Sequence, residues 1–181
     1  MTAGRGISHS ERFEGMRERG GVLHGIQAWV ALPAEHEEVE PAFEHYARDR
    51  LPLVEGAGWS ARVIAGELLG ARSAVRTHSP LLYAHLELAA GARFTVPADA
   101  SERAVFAARG AVDVGGQACA PAQMLVLGRG ATPTVVAREP STVMLLGGEP
   151  VGPRYIWWNF VSSRRERLEQ AKADWNEGRM P

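Results

Sequence analysis

Alternating apolar and polar positions give the first element. From Val22 to Leu32, His24, Ile26, Ala28, Val30 and Leu32 fall on one side of an extended segment. Leu23, Gly25, Gln27, Trp29 and Ala31 fall on the other, and both sides are rather apolar, which predicts a strand covered on both faces. Pro33 ends it. Pro41 then suits the first turn of a short helix carrying Phe43 and Tyr46. Pro52 and the run Gly56-Ala57-Gly58 read as a linker, which splits the chain into residues 1–54 and 55–181.

Beyond the linker the period is that of short strands. They are predicted near Ala61–Ala65, Ala74–Thr77, Leu81–Leu88, Arg93–Val96, Arg103–Ala108, Ala111–Val114, Gln123–Leu127, Pro133–Ala137 and Thr142–Leu146. Glycine- and proline-rich turns separate them, and this spacing argues for an all-β sandwich or jelly roll. The aromatic run Tyr155-Ile156-Trp157-Trp158-Asn159-Phe160 reads as a further, buried strand, with a ligand surface as the other reading. Ser163-Arg164-Arg165-Glu166 has the form of a capping box. Leu168, Ala171 and Trp175 follow at helical spacing and Gly178 suits the C-cap, so an amphipathic helix closes the chain.

Charge narrows the function classes. The 20 basic residues nearly balance the 21 acidic ones, for a net charge of −1. That balance lacks the electrostatic footprint of a protein that binds nucleic acid directly or sits on an anionic membrane. Lys172 is the only lysine, and the arginines are scattered rather than clustered. Cys119 is the single cysteine, which excludes an intramolecular disulfide and a cysteine-based zinc site and suits a reducing compartment. The first residues have no apolar signal-peptide core, and no apolar run reaches the length of a membrane span, so the expected location is the cytoplasm.

Phosphate-binding glycine loops, dinucleotide fingerprints, nucleophile elbows and paired CxxC motifs are all absent. Two histidines carry candidate chemistry. His9 and Glu11 stand at i and i+2, which in a strand puts an imidazole and a carboxylate on the same side. Together they suit a divalent first-row metal such as Fe(II), although the bare spacing also fits two polar residues at a strand edge. His24 shares a face with Ile26 and Val30, where a hydrogen-bonded core histidine is the commoner outcome. His36 and His45 lie in a charged, exposed stretch, and His78 and His85 have no obvious carboxylate partner.

Four stretches together resemble the pirin family. They are the segment Met1 to Glu11, Leu23-His24-Gly25-Ile26-Gln27 through Trp29 to Pro33, Gly147-Gly148-Glu149-Pro150, and Trp157-Trp158-Asn159-Phe160-Val161 with the helix ending at Trp175. The resemblance runs over the whole chain in order. It implies a double cupin, two tandem jelly-roll β-barrels, with the first cupin incomplete at residues 1–54 and the second spanning 55–181. In that family the first cupin binds iron through three histidines and a glutamate. His9 and Glu11 match the last histidine and the glutamate, while the other two histidines belong to an upstream H-x-H. Two ligands alone imply a weakly held metal and an inactive chain. Where the second cupin would carry H-x-H, the sequence reads Ala92-Arg93-Phe94-Thr95-Val96, so that barrel is expected to be structural.

The resemblance implies two functions of different kinds. One is a metal-dependent quercetin 2,3-dioxygenase acting on a flavonol-like aromatic substrate, with Glu11 also taking the flavonol proton. The other is a non-catalytic regulator that binds a protein partner and modulates transcription or metabolism, through the acidic segment Glu35–Glu44 or the edge near Trp29.

Overall fold

The computed structural model describes residues 1–12 and 14–179. Contacts divide it into two compact units: His45–Pro150, and Met1–Glu44 together with Val151–Pro181.

The unit His45–Pro150 is built from twelve strands: β1 (Leu53–Gly56), β2 (Trp59–Ala65), β3 (Glu67–Leu68), β4 (Ala71–Arg72), β5 (Leu81–Leu88), β6 (Arg93–Thr95), β7 (Glu102–Arg109), β8 (Val112–Val114), β9 (Gln117–Cys119), β10 (Met124–Leu127), β11 (Thr134–Ala137) and β12 (Ser141–Gly148). A six-stranded antiparallel sheet has the order β1-β2-β5-β12-β7-β10, and a four-stranded one the order β6-β11-β8-β9. Apart from the hairpins β1-β2 and β8-β9, neighbours in both sheets are non-consecutive, which marks a jelly roll rather than a meander.

Burial follows the two-residue period. In β5, Leu82, Ala84, Leu86 and Leu88 are buried while Tyr83, His85 and Glu87 face outward. Alanines at inward positions 61, 84, 107 and 137 leave room for larger neighbours. Phe94 fills that room, and its ring meets the edge of Trp59 at 5.0 Å between centroids. One apolar cluster draws on both sheets, with Val63, Leu86, Val105, Val143 and Leu145 from one and Phe94, Val112, Cys119 and Val135 from the other. Gly66 takes φ +77, and a Cβ there would overlap the carbonyl oxygen of Leu81, so glycine is required where β2 leaves the sheet.

The second unit contains α1 (Glu14–Arg19), the hairpin β13 (Tyr155–Trp157) with β14 (Phe160–Ser162), and α2 (Arg165–Asn176). Leu168 and Ala171 of α2 are buried, and Trp175 meets Trp158 edge-on at 4.6 Å. Gly178 follows the helix at φ +67, in the left-handed position expected of a C-cap glycine.

Several sequence expectations need correcting. The strand from Val22 to Leu32 does not form. Alternation supplies two faces, but a ladder also needs a neighbour for its N–H and C=O groups, and among the described residues this segment has none. Its apolar side chains are therefore open, with Val22 90% and Trp29 58% exposed. The helix after Pro41 is absent because Ala42 exchanges two backbone hydrogen bonds with Thr2. Short 3-10 turns occur instead at Ala34–His36 and Arg48–Arg50. The strand at Ala74–Thr77 is irregular chain, and the linker region contributes β1, which pairs with β2 across a turn at Gly58. The aromatic run is an exposed hairpin rather than a buried strand, with Trp158 at its turn at φ 48. The capping box is not made: α2 begins one residue later, with Arg164 as its N-cap and no side-chain cap, while the Ser163 hydroxyl donates to Glu37.

Candidate functional site

His9 and Glu11 lie in irregular chain in the unit Met1–Glu44 with Val151–Pro181, and both are exposed. The Glu11 carboxylate accepts a hydrogen bond of 3.3 Å from the Gln27 side-chain amide. An imidazole and a carboxylate are the right donor types for a divalent first-row metal. Among the described residues, however, no cluster of three or more His, Cys, Asp or Glu side chains is placed to hold one. The donor types fit and their number does not: two ligands do not close a site, and donors from outside these 181 residues would be needed. His24, expected in the core, is exposed and outside any strand.

The same unit holds a buried polar knot. The carboxylate of Glu37 pairs with Nε of Arg154 at 3.0 Å, both side chains being 8% exposed. It also accepts from the hydroxyls of Ser162 and Ser163 and from the Ser163 backbone N–H. Arg154 spends its other nitrogens on the carbonyls of Leu32, Val151 and Pro153. Two further carboxylates of the acidic segment are also paired. Glu38 receives Arg164 and Arg167, and Glu40 receives Arg5.

In the jelly-roll unit the interior is mostly hydrocarbon, with Arg103 as the one buried charged side chain among its described residues. Ala92, Phe94 and Val96 stand buried where the sequence could have carried an H-x-H pair. Polar chemistry is found on the outer face instead. Arg48, Leu53, Glu55, Ser60, Arg62, His85 and Glu87 line a groove of about 220 Å³. Strand register builds it: Leu53, Arg62 and His85 form one cross-strand row, and Glu55, Ser60 and Glu87 the next. The Arg62 guanidinium donates to the carbonyls of Arg48 and Leu51, which fixes its head over the sheet.

Burial lowers the pKa of His85 below its ordinary value; Glu87 raises it in part, and Arg48 and Arg62 lower it again. Glu87 is thus a carboxylate neighbour that the sequence reading did not give His85. The i, i+2 rule applied to His9 and Glu11 would have found it, since Leu81–Leu88 is predicted as a strand with the bounds it has. The pH consequence has a definite sign. The unfolded chain binds a proton at His85 near pH 6.5, before the folded chain does, so the folded state is penalised as pH falls below that value. The melting temperature is expected to drop between pH 6.5 and 5, and His85→Gln should reduce the drop; an unchanged pH profile in that variant would assign the drop elsewhere.

The jelly roll with its two opposed sheets places the chain among the cupins. Residues 83–181 match the family model of the pirin C-terminal cupin domain. A pirin-like protein of Caulobacter vibrioides is 57% identical over 99% of this chain and 63% of its own length. Human pirin is 32% identical over 99% of this chain and 63% of its own length. A crystal structure of quercetin 2,3-dioxygenase from Acinetobacter baumannii superposes with a TM-score of 0.76 at 32% identity, covering 83% of this chain and 50% of that one. The chain belongs to the pirin family, and it spans less than two thirds of the length of these relatives. Among the described residues no helix is long and apolar enough to cross a membrane.

Proposed function

We propose that this chain contributes to a metal-dependent, quercetin 2,3-dioxygenase-type oxidoreductase, and that His9 and Glu11 are two of the ligands of its metal. The observation that carries the reading is the likeness to the Acinetobacter enzyme at 32% identity over most of the chain. The metal is Fe(II) or another divalent first-row ion, and it requires further ligands from outside these residues. The substrate is a flavonol-like aromatic molecule, and the Glu11 carboxylate takes its hydroxyl proton. Cytoplasmic location fits the free, buried Cys119.

The test uses the protein purified from its own cells, assayed for metal by mass spectrometry and for loss of quercetin absorbance in air. His9→Ala and Glu11→Ala are each expected to weaken metal binding by at least about tenfold and to abolish quercetin loss. Retention of full metal content by the double variant would remove both residues from the site.

A second reading, a regulator that binds a protein partner, is supported by the open apolar side chains of Val22, Leu23, Trp29 and Val30. The acidic segment supports it less, because Glu37, Glu38 and Glu40 are already paired with arginines of their own unit.

A further inference from the structure

The groove on the outer face of β1, β2 and β5 sorts its charges. Arg48, Arg62 and His85 stand toward one end, and Glu55 and Glu87 toward the other, with Ser60 between the carboxylates. Among the described residues neither Glu55 nor Glu87 makes a hydrogen bond or ion pair, and the Arg48 guanidinium makes none either. Arg62 commits one terminal nitrogen to two carbonyls, which holds the head in place and leaves the other free to donate. Groups of opposite sign therefore share one groove without pairing with each other.

We propose that this groove binds a small linear zwitterion of dipeptide or ω-amino acid size. Its carboxylate lies against Arg62 and Arg48, and its ammonium group between Glu55 and Glu87. The dimensions agree. The two rows are one i, i+2 step apart, roughly 6.7 Å along a strand, which is close to the separation of the charged ends of an extended dipeptide. The volume of about 220 Å³ corresponds to about seven waters at roughly 30 Å³ each. A simple anion would meet two carboxylates and a simple amine two guanidiniums, so only a ligand carrying both charges gains at both ends. A neutral His85 adds a hydrogen-bonding nitrogen beside the arginines without adding a third positive charge.

The experiment follows backbone amide shifts by NMR while the full chain is titrated with glycylglycine, 4-aminobutyrate, acetate and ethylamine. Saturable shifts at residues 53–62 and 85–87 are expected with the two zwitterions and not with acetate or ethylamine. Glu87→Gln, a change at an exposed position, should weaken zwitterion binding about tenfold, which corresponds to roughly 1.4 kcal/mol, while leaving the remaining spectrum unchanged. Arg62→Gln should do the same, but it also loses two backbone contacts, so Glu87→Gln decides the matter. Equal response to acetate would make the groove a plain anion site and overturn the proposal. So would the absence of saturable shifts with either zwitterion, or undiminished binding by Glu87→Gln.

Discussion

Glu37→Ala is expected to destabilise the unit made of Met1–Glu44 and Val151–Pro181 by about 3–5 kcal/mol. The substitution strands the buried Arg154 guanidinium and unpairs two serine hydroxyls and one backbone N–H that now end on a single carboxylate. Breaking one side of a buried pair costs far more than the pair gains over a hydrophobic replacement, because the surviving charge stays desolvated. Glu38 is the matched control. It also receives two arginines but is about half exposed, so Glu38→Ala should cost at most about 1 kcal/mol. Urea unfolding followed by tryptophan fluorescence reports this unit through Trp157, Trp158 and Trp175. Equal midpoints for the two variants would show that solvent reaches the Glu37 site.

The jelly-roll strands were largely legible because their burial alternates at the two-residue period and glycine or proline marks most of the turns. Leu81–Leu88 was readable to the residue, and the Gly178 cap and the buried Leu168 and Ala171 of the last helix were as well. What failed was whatever depended on a distant partner. The alternation of Val22 to Leu32 says nothing about whether a neighbouring strand is there to receive its hydrogen bonds. The Ser163 capping box reads well locally, yet the helix takes Arg164 as its N-cap while the Ser163 hydroxyl and backbone N–H both donate to Glu37, 126 residues away. The groove was missed for a related reason. Its charges come from β1, β2, β5 and the turn at Arg48, and only the register of β1 on β2 and of β2 on β5 sets them side by side.

The second large effect is expected at Arg103, an inward-facing residue of β7 that is 2% exposed. No carboxylate pairs with it among the described residues. Its guanidinium instead donates to the carbonyls of Pro97 at 2.7 Å, Ala131 at 2.6 Å and Gly128 at 3.2 Å. One side chain thereby ties together the β6–β7 and β10–β11 connections, whose carbonyl dipoles stabilise the buried charge. Arg103→Met keeps most of the volume and removes all the donors. The carbonyls of Pro97 and Ala131 lose their donor at about 1–3 kcal/mol each while that of Gly128 keeps the Ala131 N–H, and the loss is offset in part by no longer burying a charge, so a net loss of about 2 kcal/mol or more is expected. Arg103→Lys should recover only a fraction, because an ammonium on a flexible stem does not span three carbonyls held by a planar fork. Hydrogen exchange gives the local readout: the amides of Val96 and Ala131, bonded to Pro133 and Gly128, should lose protection first in Arg103→Met. If that variant unfolds within about 1 kcal/mol of the parent and keeps those amides protected, the carbonyls have found water, and the two connections hold without the arginine.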